Sequence, residues 1–176
     1  MILAPADPRD FTLIVDLVNE AFRGTGAVAS WNSEAGVIEG ERLTEALLLA
    51  DLEGKPNGHL LTLRDEPDGA LLGTVWLEPK QAGTWYLGLL TVRPVVQTRK
   101  LGTSLLSAAE KFVKDCGGER IRMTVVNVRQ SLIAWYQRRD YTLTGEVEPF
   151  PYDDQRFGRP LRDDLHFVVL AKILSS

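Results

Sequence analysis

The sequence predicts an α/β fold of the α+β kind, a central mixed, mostly antiparallel sheet of about seven strands flanked by about four helices. Two observations predict it. Three consecutive strand-like runs, "GHLLTLR", "ALLGTVWLE" and "TWYLGLLTV", are separated by "DEPDG" and "PKQAG", which carry the Pro, Asp and Gly of tight turns, so they read as an antiparallel meander. On either side of that meander, apolar residues recur at the spacing of amphipathic helices, and in the C-terminal half such helices alternate with strands.

Each element follows in order. "ILA" before Pro5 is a short first strand, and Phe11, Ile14, Val15, Val18 and Phe22 then share a helical face until Gly24 stops it. "GTGAVASWNSEAG" reads as loop. A second helix is expected near residues 39–52, where Leu43, Ala46, Leu47 and Ala50 share a face and Gly54 and Pro56 end it. After the meander comes a helix whose Gly102, Leu105, Leu106, Ala109, Phe112, Val113 and Cys116 form one apolar stripe, closed by Gly117 and Gly118. "RIRMTVV" is a strand, "QSLIAWYQRR" a short helix, and "YTLTGEV" and "LHFVVLAKI" are the last two strands. The order is β-α-α-β-β-β-α-β-α-β-β.

The 176 residues, 44% hydrophobic and 25% charged, suffice for one substantial core, and no repeat or Pro/Ser-rich linker divides them, so a single domain over 1–176 is expected. A formal net charge of -4 excludes a broad nucleic-acid binder, which needs an extended basic field. Cys116 has no partner for an internal disulfide, and one cysteine with two histidines gives no basis for a metal site. "MILAPADPRD" lacks the basic flank and apolar core of a signal peptide, and no apolar run approaches the roughly 20 residues that span a bilayer. A soluble cytoplasmic protein with no membrane partner is expected.

One stretch concentrates polar chemistry. In "VRPVVQTRKLGTSLL" a β-branched run passes through a cationic turn into an apolar helix, which aims unpaired backbone N–H groups and the positive end of a helix dipole at one point. Gln97, Arg99 and Lys100 add side-chain donors, and Gly102 permits close backbone approach, so a diphosphate-bearing ligand suits the turn. Solvation of an ordinary strand-to-helix corner is the competing explanation for the same cations.

The stretch resembles the central motif of the GNAT superfamily, the Gcn5-related N-acetyltransferases that use acetyl-CoA. That motif is a strand ending in Val-x-Pro, then Gln/Arg-x-x-Gly-x-Gly/Ala and a helix opening on paired leucines; Val92, Pro94, Gln97, Gly102, Leu105 and Leu106 fit it, while Lys100 replaces the first glycine. A second family motif appears as "IRMTVVNVRQSLIAWYQRRDY", where Tyr136 and Tyr141 match, Arg129 stands at the frequent asparagine and Asp140 at the frequent glycine. The element order matches the family's throughout. Lys100 poses a physical question, because a non-glycine residue in a left-handed conformation costs roughly 1–2 kcal/mol. Either the loop avoids that conformation or a ligand phosphate compensates through the ammonium group.

The resemblance implies a GNAT fold and direct transfer of an acetyl group from acetyl-CoA, with no metal, to the amine of a small molecule, amino acid or peptide. It implies that Leu90, Thr91 and Val92 on the fourth predicted strand contact the pantetheine arm through main-chain hydrogen bonds, and that Gln97, Thr98, Arg99, Lys100, Leu101, Gly102 and Thr103 form the phosphate-binding segment. Tyr136 matches the family's proton donor, and a phenol, neutral at pH 7, carries the proton that role needs. On helical spacing alone Tyr136 reads as a packed ring beside Leu132 and Trp135, and it is the family match that makes it the proton donor. No carboxylate or histidine lies between Thr84 and Val92, so the general base is sought elsewhere: Glu34 is named, with Glu78 and His166 as the other candidates. Trp31, and the loop "EPFPYDDQRFGRP" with its acids and arginines, are expected near the acceptor. Cys116 is expected to pack as a small hydrophobe. The alternative function is an acyl-CoA-binding module with weak or no catalysis, suggested by Lys100, Arg129 and Asp140. An exposed last strand would let two copies pair as a homodimer.

Overall fold

The computed structural model describes residues 1–24, 33–94 and 100–174. Nine strands and four helices are assigned within them: β1 Ile2–Pro5, α1 Phe11–Arg23, β2 Ile38–Glu39, α2 Glu45–Gly54, β3 His59–Arg64, β4 Leu71–Pro79, β5 Thr84–Val92, α3 Leu101–Asp115, β6 Arg120–Val126, α4 Gln130–Gln137, β7 Thr142–Pro149, β8 Arg159–Pro160 and β9 His166–Ile173. Seven strands form one sheet in the order β1-β3-β4-β5-β6-β9-β7, in which β5 and β6 run parallel and every other neighbour pair is antiparallel. The predicted fold class and meander are therefore present.

Alternation along the strands divides the interior in two. Leu61, Val75, Leu77 and Leu87 pack with Leu105, Ala109 and Val113 of α3 and Ile133 of α4, whereas Leu60, Trp76 and Tyr86, one position out of phase, pack with Ile14, Leu17 and Val18 of α1 and Leu48 of α2. A period of two puts these sets on opposite faces, so α3 and α4 cover one face of the sheet and α1 and α2 the other. Each fully buried leucine or isoleucine contributes about 1.5–3 kcal/mol over its exposed state.

Three expectations change. The second helix begins at Glu45 rather than near 39, because extended Thr44 (φ -123°, ψ 161°) caps it by accepting from the Leu47 N–H at 3.2 Å. Ile38 and Glu39 instead pair with Pro160 and Arg159 as a two-stranded ribbon that joins the segment after α1 to the long loop before β9. The last strand is not an edge: β9 lies between β6 and β7, so its hydrogen bonds are already used and β7 forms the sheet's margin. A dimer paired through β9 is therefore ruled out. Cys116 caps the end of α3 and is exposed, one step beyond the stripe that Val113 ends.

Candidate active site

The parallel ladder between β5 and β6 covers only 84–86 and 120–122, although both strands continue. Where pairing stops, residues 87–90 of β5 and 123–126 of β6 become the two walls of a cavity of about 240 Å³. The β5 wall is shaped by a bulge, since Thr74 and Trp76 of β4 pair with Thr91 and Gly88 and leave an extra residue on β5. Leu89 sits there at φ 50°, and the Thr91 hydroxyl donates to its carbonyl at 2.9 Å. A β-carbon on Gly88 would lie 2.8 Å from the Tyr86 ring, so glycine is what lets that ring lie along the strand and reach the cavity.

Tyr136 projects from α4 into this wall and is 5% exposed. Its ring makes edge contacts with Trp135 and Tyr141 at centroid distances of 5.0 and 5.6 Å, and among the described residues its hydroxyl has no hydrogen-bond partner. Burial pushes its pKa far up, so the phenol keeps its proton across the physiological range.

The opposite end of the cavity is built from charge. Glu34, 7% exposed, pairs with Arg23 through Oε2 and stands 3.5 Å from Arg129 through Oε1. Its backbone is fixed too, because the Glu34 N–H donates to the Phe22 carbonyl at 2.7 Å. Arg23 also donates to the carbonyls of Gly40, at 2.9 Å, and Phe157. Arg42 lies over the rings of Phe22 and Phe157 at 5.6 and 5.1 Å. Desolvation lowers the pKa of both Arg42 and Arg129, against the raising influence of Glu34.

The loop of residues 148–160 closes this end with Phe150 and Phe157. Its charges pair outward: Arg156 with Asp51 of α2 at 2.9 Å, and Arg159 with Glu39 of β2. Gly158, at φ 95°, lies where a β-carbon would be 2.5 Å from the Glu39 carbonyl oxygen, so the ribbon and the loop meet there without room for a side chain.

Of the residues named from the sequence, Tyr136, Glu34 and Leu90 line the cavity, and Thr91 and Val92 are buried just beyond it. Lys100 occupies the left-handed region (φ 55°, ψ 28°) at the start of α3 and gives no side-chain cap. Leu101 and Gly102 are buried in the first turn of α3, and the Thr103 hydroxyl accepts from Arg139 at 2.8 Å. Gln97, Thr98, Arg99 and Trp31 lie outside the described residues. Glu78, which pairs with Lys80 at 2.5 Å, and His166 on β9 are not in the cavity wall. Sequence reasoning missed Arg23, Arg42 and Tyr86; the approach of α1, the segment before α2 and β5 to one point is a tertiary event without a local signal. Arg129, read only as a departure from a motif, becomes a partner of Glu34.

The family model described as "Acetyltransferase (GNAT) family" matches residues 25–141. A curated mycothiol acetyltransferase of Beutenbergia cavernae is 31% identical over 83 residues, 47% of this chain; the chain spans only 28% of that protein's length. Two solved structures share the fold: YncA of Salmonella typhimurium, solved with its cofactor acetyl-CoA (18% identity, TM-score 0.67, covering 100% of this chain and 95% of that one), and an N-acetyltransferase of Staphylococcus aureus Mu50 (15% identity, TM-score 0.69, covering 99% and 98%).

Proposed function

The chain belongs to the GNAT acetyltransferase family, and we propose from this that it is an acetyl-CoA-dependent N-acetyltransferase acting on the amine of a small molecule, amino acid or peptide. The observation that carries the proposal is the buried Tyr136 hydroxyl, without a protein partner among the described residues, in the wall of a cavity opened by the β5 bulge and the parting of β5 from β6.

The residues suit acetyl-CoA. The first turn of α3 has N–H groups that helix geometry leaves unpaired, the N-cap residue Lys100 gives them no side-chain hydrogen bond, and its ammonium adds a cation beside them. The 97–103 segment would hold the phosphates, and the main chain of Leu90, Thr91 and Val92 the pantetheine arm. When bound, acetyl-CoA supplies an activated acetyl group as a thioester.

The chain's own groups then do three things. Backbone N–H groups at the β5 bulge stabilise negative charge on the carbonyl oxygen as the amine attacks; one preorganised donor is worth about 3–4 kcal/mol. Tyr136 donates its phenolic proton to the sulfur as the carbon–sulfur bond breaks, and recovers a proton from solvent afterwards. The proton lost by the amine passes to water. Glu34, with guanidinium groups at both oxygens, acts as a positioning residue that holds Arg23 and Arg129 at the acceptor end.

The test is calorimetric titration with acetyl-CoA and with CoA lacking the 3′-phosphate, each at two salt concentrations, followed by a thiol-release screen of amines. Micromolar, salt-sensitive binding and amine-dependent thiol release are expected. Binding without turnover for any amine would favour an acyl-CoA-binding module instead.

A further inference from the structure

Among the described residues lining the charged end of the cavity, Arg23, Arg42 and Arg129 face the carboxylates of Glu34 and Glu148. Glu34 is shared between Arg23 and Arg129, and Glu148, also in the wall, pairs with Arg122 at 2.6 Å. Arg42 differs from all of these. Its guanidinium lies over the rings of Phe22 and Phe157, and among the described residues its side chain has neither a hydrogen-bond acceptor nor an ion-pair partner. Arg42 is half-buried, and a partly desolvated guanidinium with no contacting anion forms a stronger charge-assisted hydrogen bond with a ligand carboxylate than it would in open water. A guanidinium held against two aromatic rings presents a planar fork that matches a carboxylate.

Acceptor classes divide at this point. A polyamine would meet the Arg42 guanidinium with like-charge repulsion. A neutral alkyl or aryl amine would fill the aromatic walls but leave Arg42 without a partner. An amino acid satisfies both features, and a cavity of about 240 Å³ is of small-molecule size, below the span usual for drug-sized ligands.

We infer that the acceptor is an amino acid with an apolar side chain, its carboxylate bound by Arg42 and its side chain set against Phe22, Phe150 and Phe157. This rests on the acetyltransferase reading above.

The test uses the full chain with L-leucine, L-methionine and L-phenylalanine, each paired with its primary amide. Thiol release from acetyl-CoA is one readout; calorimetric binding of acids and amides in the presence of CoA is a second that needs no turnover. At least one acid is expected to exceed its amide by about ten- to hundred-fold in kcat/KM and in affinity, the range of a charge-assisted hydrogen bond. The difference should vanish in Arg42→Gln and return in part in Arg42→Lys, with circular dichroism checking the fold of each; should Arg42→Gln misfold, Arg42→Lys alone is expected to reduce the preference. Equal behaviour of acids and amides in both readouts, or a preference untouched in the folded Arg42 variants, overturns the inference. Acids that bind through Arg42 while no amine releases thiol would uphold the Arg42 carboxylate site but overturn the acetyltransferase reading and, with it, the role of the amino acid as acceptor.

Discussion

Arg129, at the entrance to α4, stands 3.5 Å from the carboxylate of Glu34, in the segment that precedes β2. The contact ties the helix that carries Tyr136 to the far end of the cavity, and Arg23 on α1 holds the same carboxylate from the other side. Removing the Glu34 charge takes from two buried guanidinium groups the carboxylate they share. Glu34→Gln is expected to destabilise the protein by about 3–5 kcal/mol in urea unfolding. Glu34→Asp should recover part of this loss and of kcat/KM together. A Glu34→Gln protein of unchanged stability would contradict the clamp.

Tyr136→Phe keeps the ring and its contacts with Trp135 and Tyr141 while deleting the proton. Turnover should fall by about ten- to ten-thousand-fold, with acetyl-CoA affinity nearly unchanged. An equal fall in affinity would make the hydroxyl a binding group.

Burial also raises the pKa of Tyr141, whose hydroxyl donates to Glu110 at 3.0 Å. Both tyrosines therefore stay protonated in the folded chain at pH values where the unfolded chain has released their protons. Their contribution is complete below the ordinary phenol pKa of about 10 and is lost as pH rises beyond it, at about 1.4 kcal/mol per pH unit for each. Denaturant midpoints above pH 10 should fall steeply, and less steeply in Tyr136→Phe.

Lys100 and Asp140 both adopt positive φ, 55° and 67°, at the two positions where the family motifs favour glycine. Asp140→Gly should stabilise the protein by about 1 kcal/mol, less whatever glycine gains in unfolded-state entropy. Lys100→Gly should likewise stabilise the free protein while weakening acetyl-CoA binding and flattening its salt dependence. Stabilisation with unchanged CoA affinity would mean that the ammonium does not meet a phosphate.

Gly158→Ala places a methyl group against the Glu39 carbonyl and strains the backbone at φ 95°. It should loosen the β2–β8 ribbon and the loop that bears Phe157, raising acceptor KM more than acetyl-CoA Kd. Steady-state kinetics against both substrates would reveal the split.

The sheet, the central helix and the placement of Tyr136 were legible because each follows a local pattern: alternation for the meander, a 3.6-residue stripe for α3, and a paired motif for α4. The β2–β8 ribbon was not, since two residues pairing across a long chain separation leave no periodicity. Arg23 and Arg42 carry no local signal in a helix end and a loop; what brings them into the cavity wall is the contact of Arg23 with Glu34 and of Arg42 with the rings of Phe22 and Phe157, made by the fold. Strand order escaped for a similar reason. The last strand in sequence enters the sheet beside β6 and leaves β7 at the margin, a choice that depends on crossover connections rather than on composition.

The most direct measurement follows acetyl-CoA and a pool of amino acids with the protein, recording free thiol, N-acetylated product and the mass of the intact chain. Thiol and N-acetyl product formed in equal amounts, with no acetyl group on the protein, is the predicted result. Acetyl-CoA bound without thiol release, or an acetylated chain that transfers its group afterwards, would contradict direct transfer in this cavity.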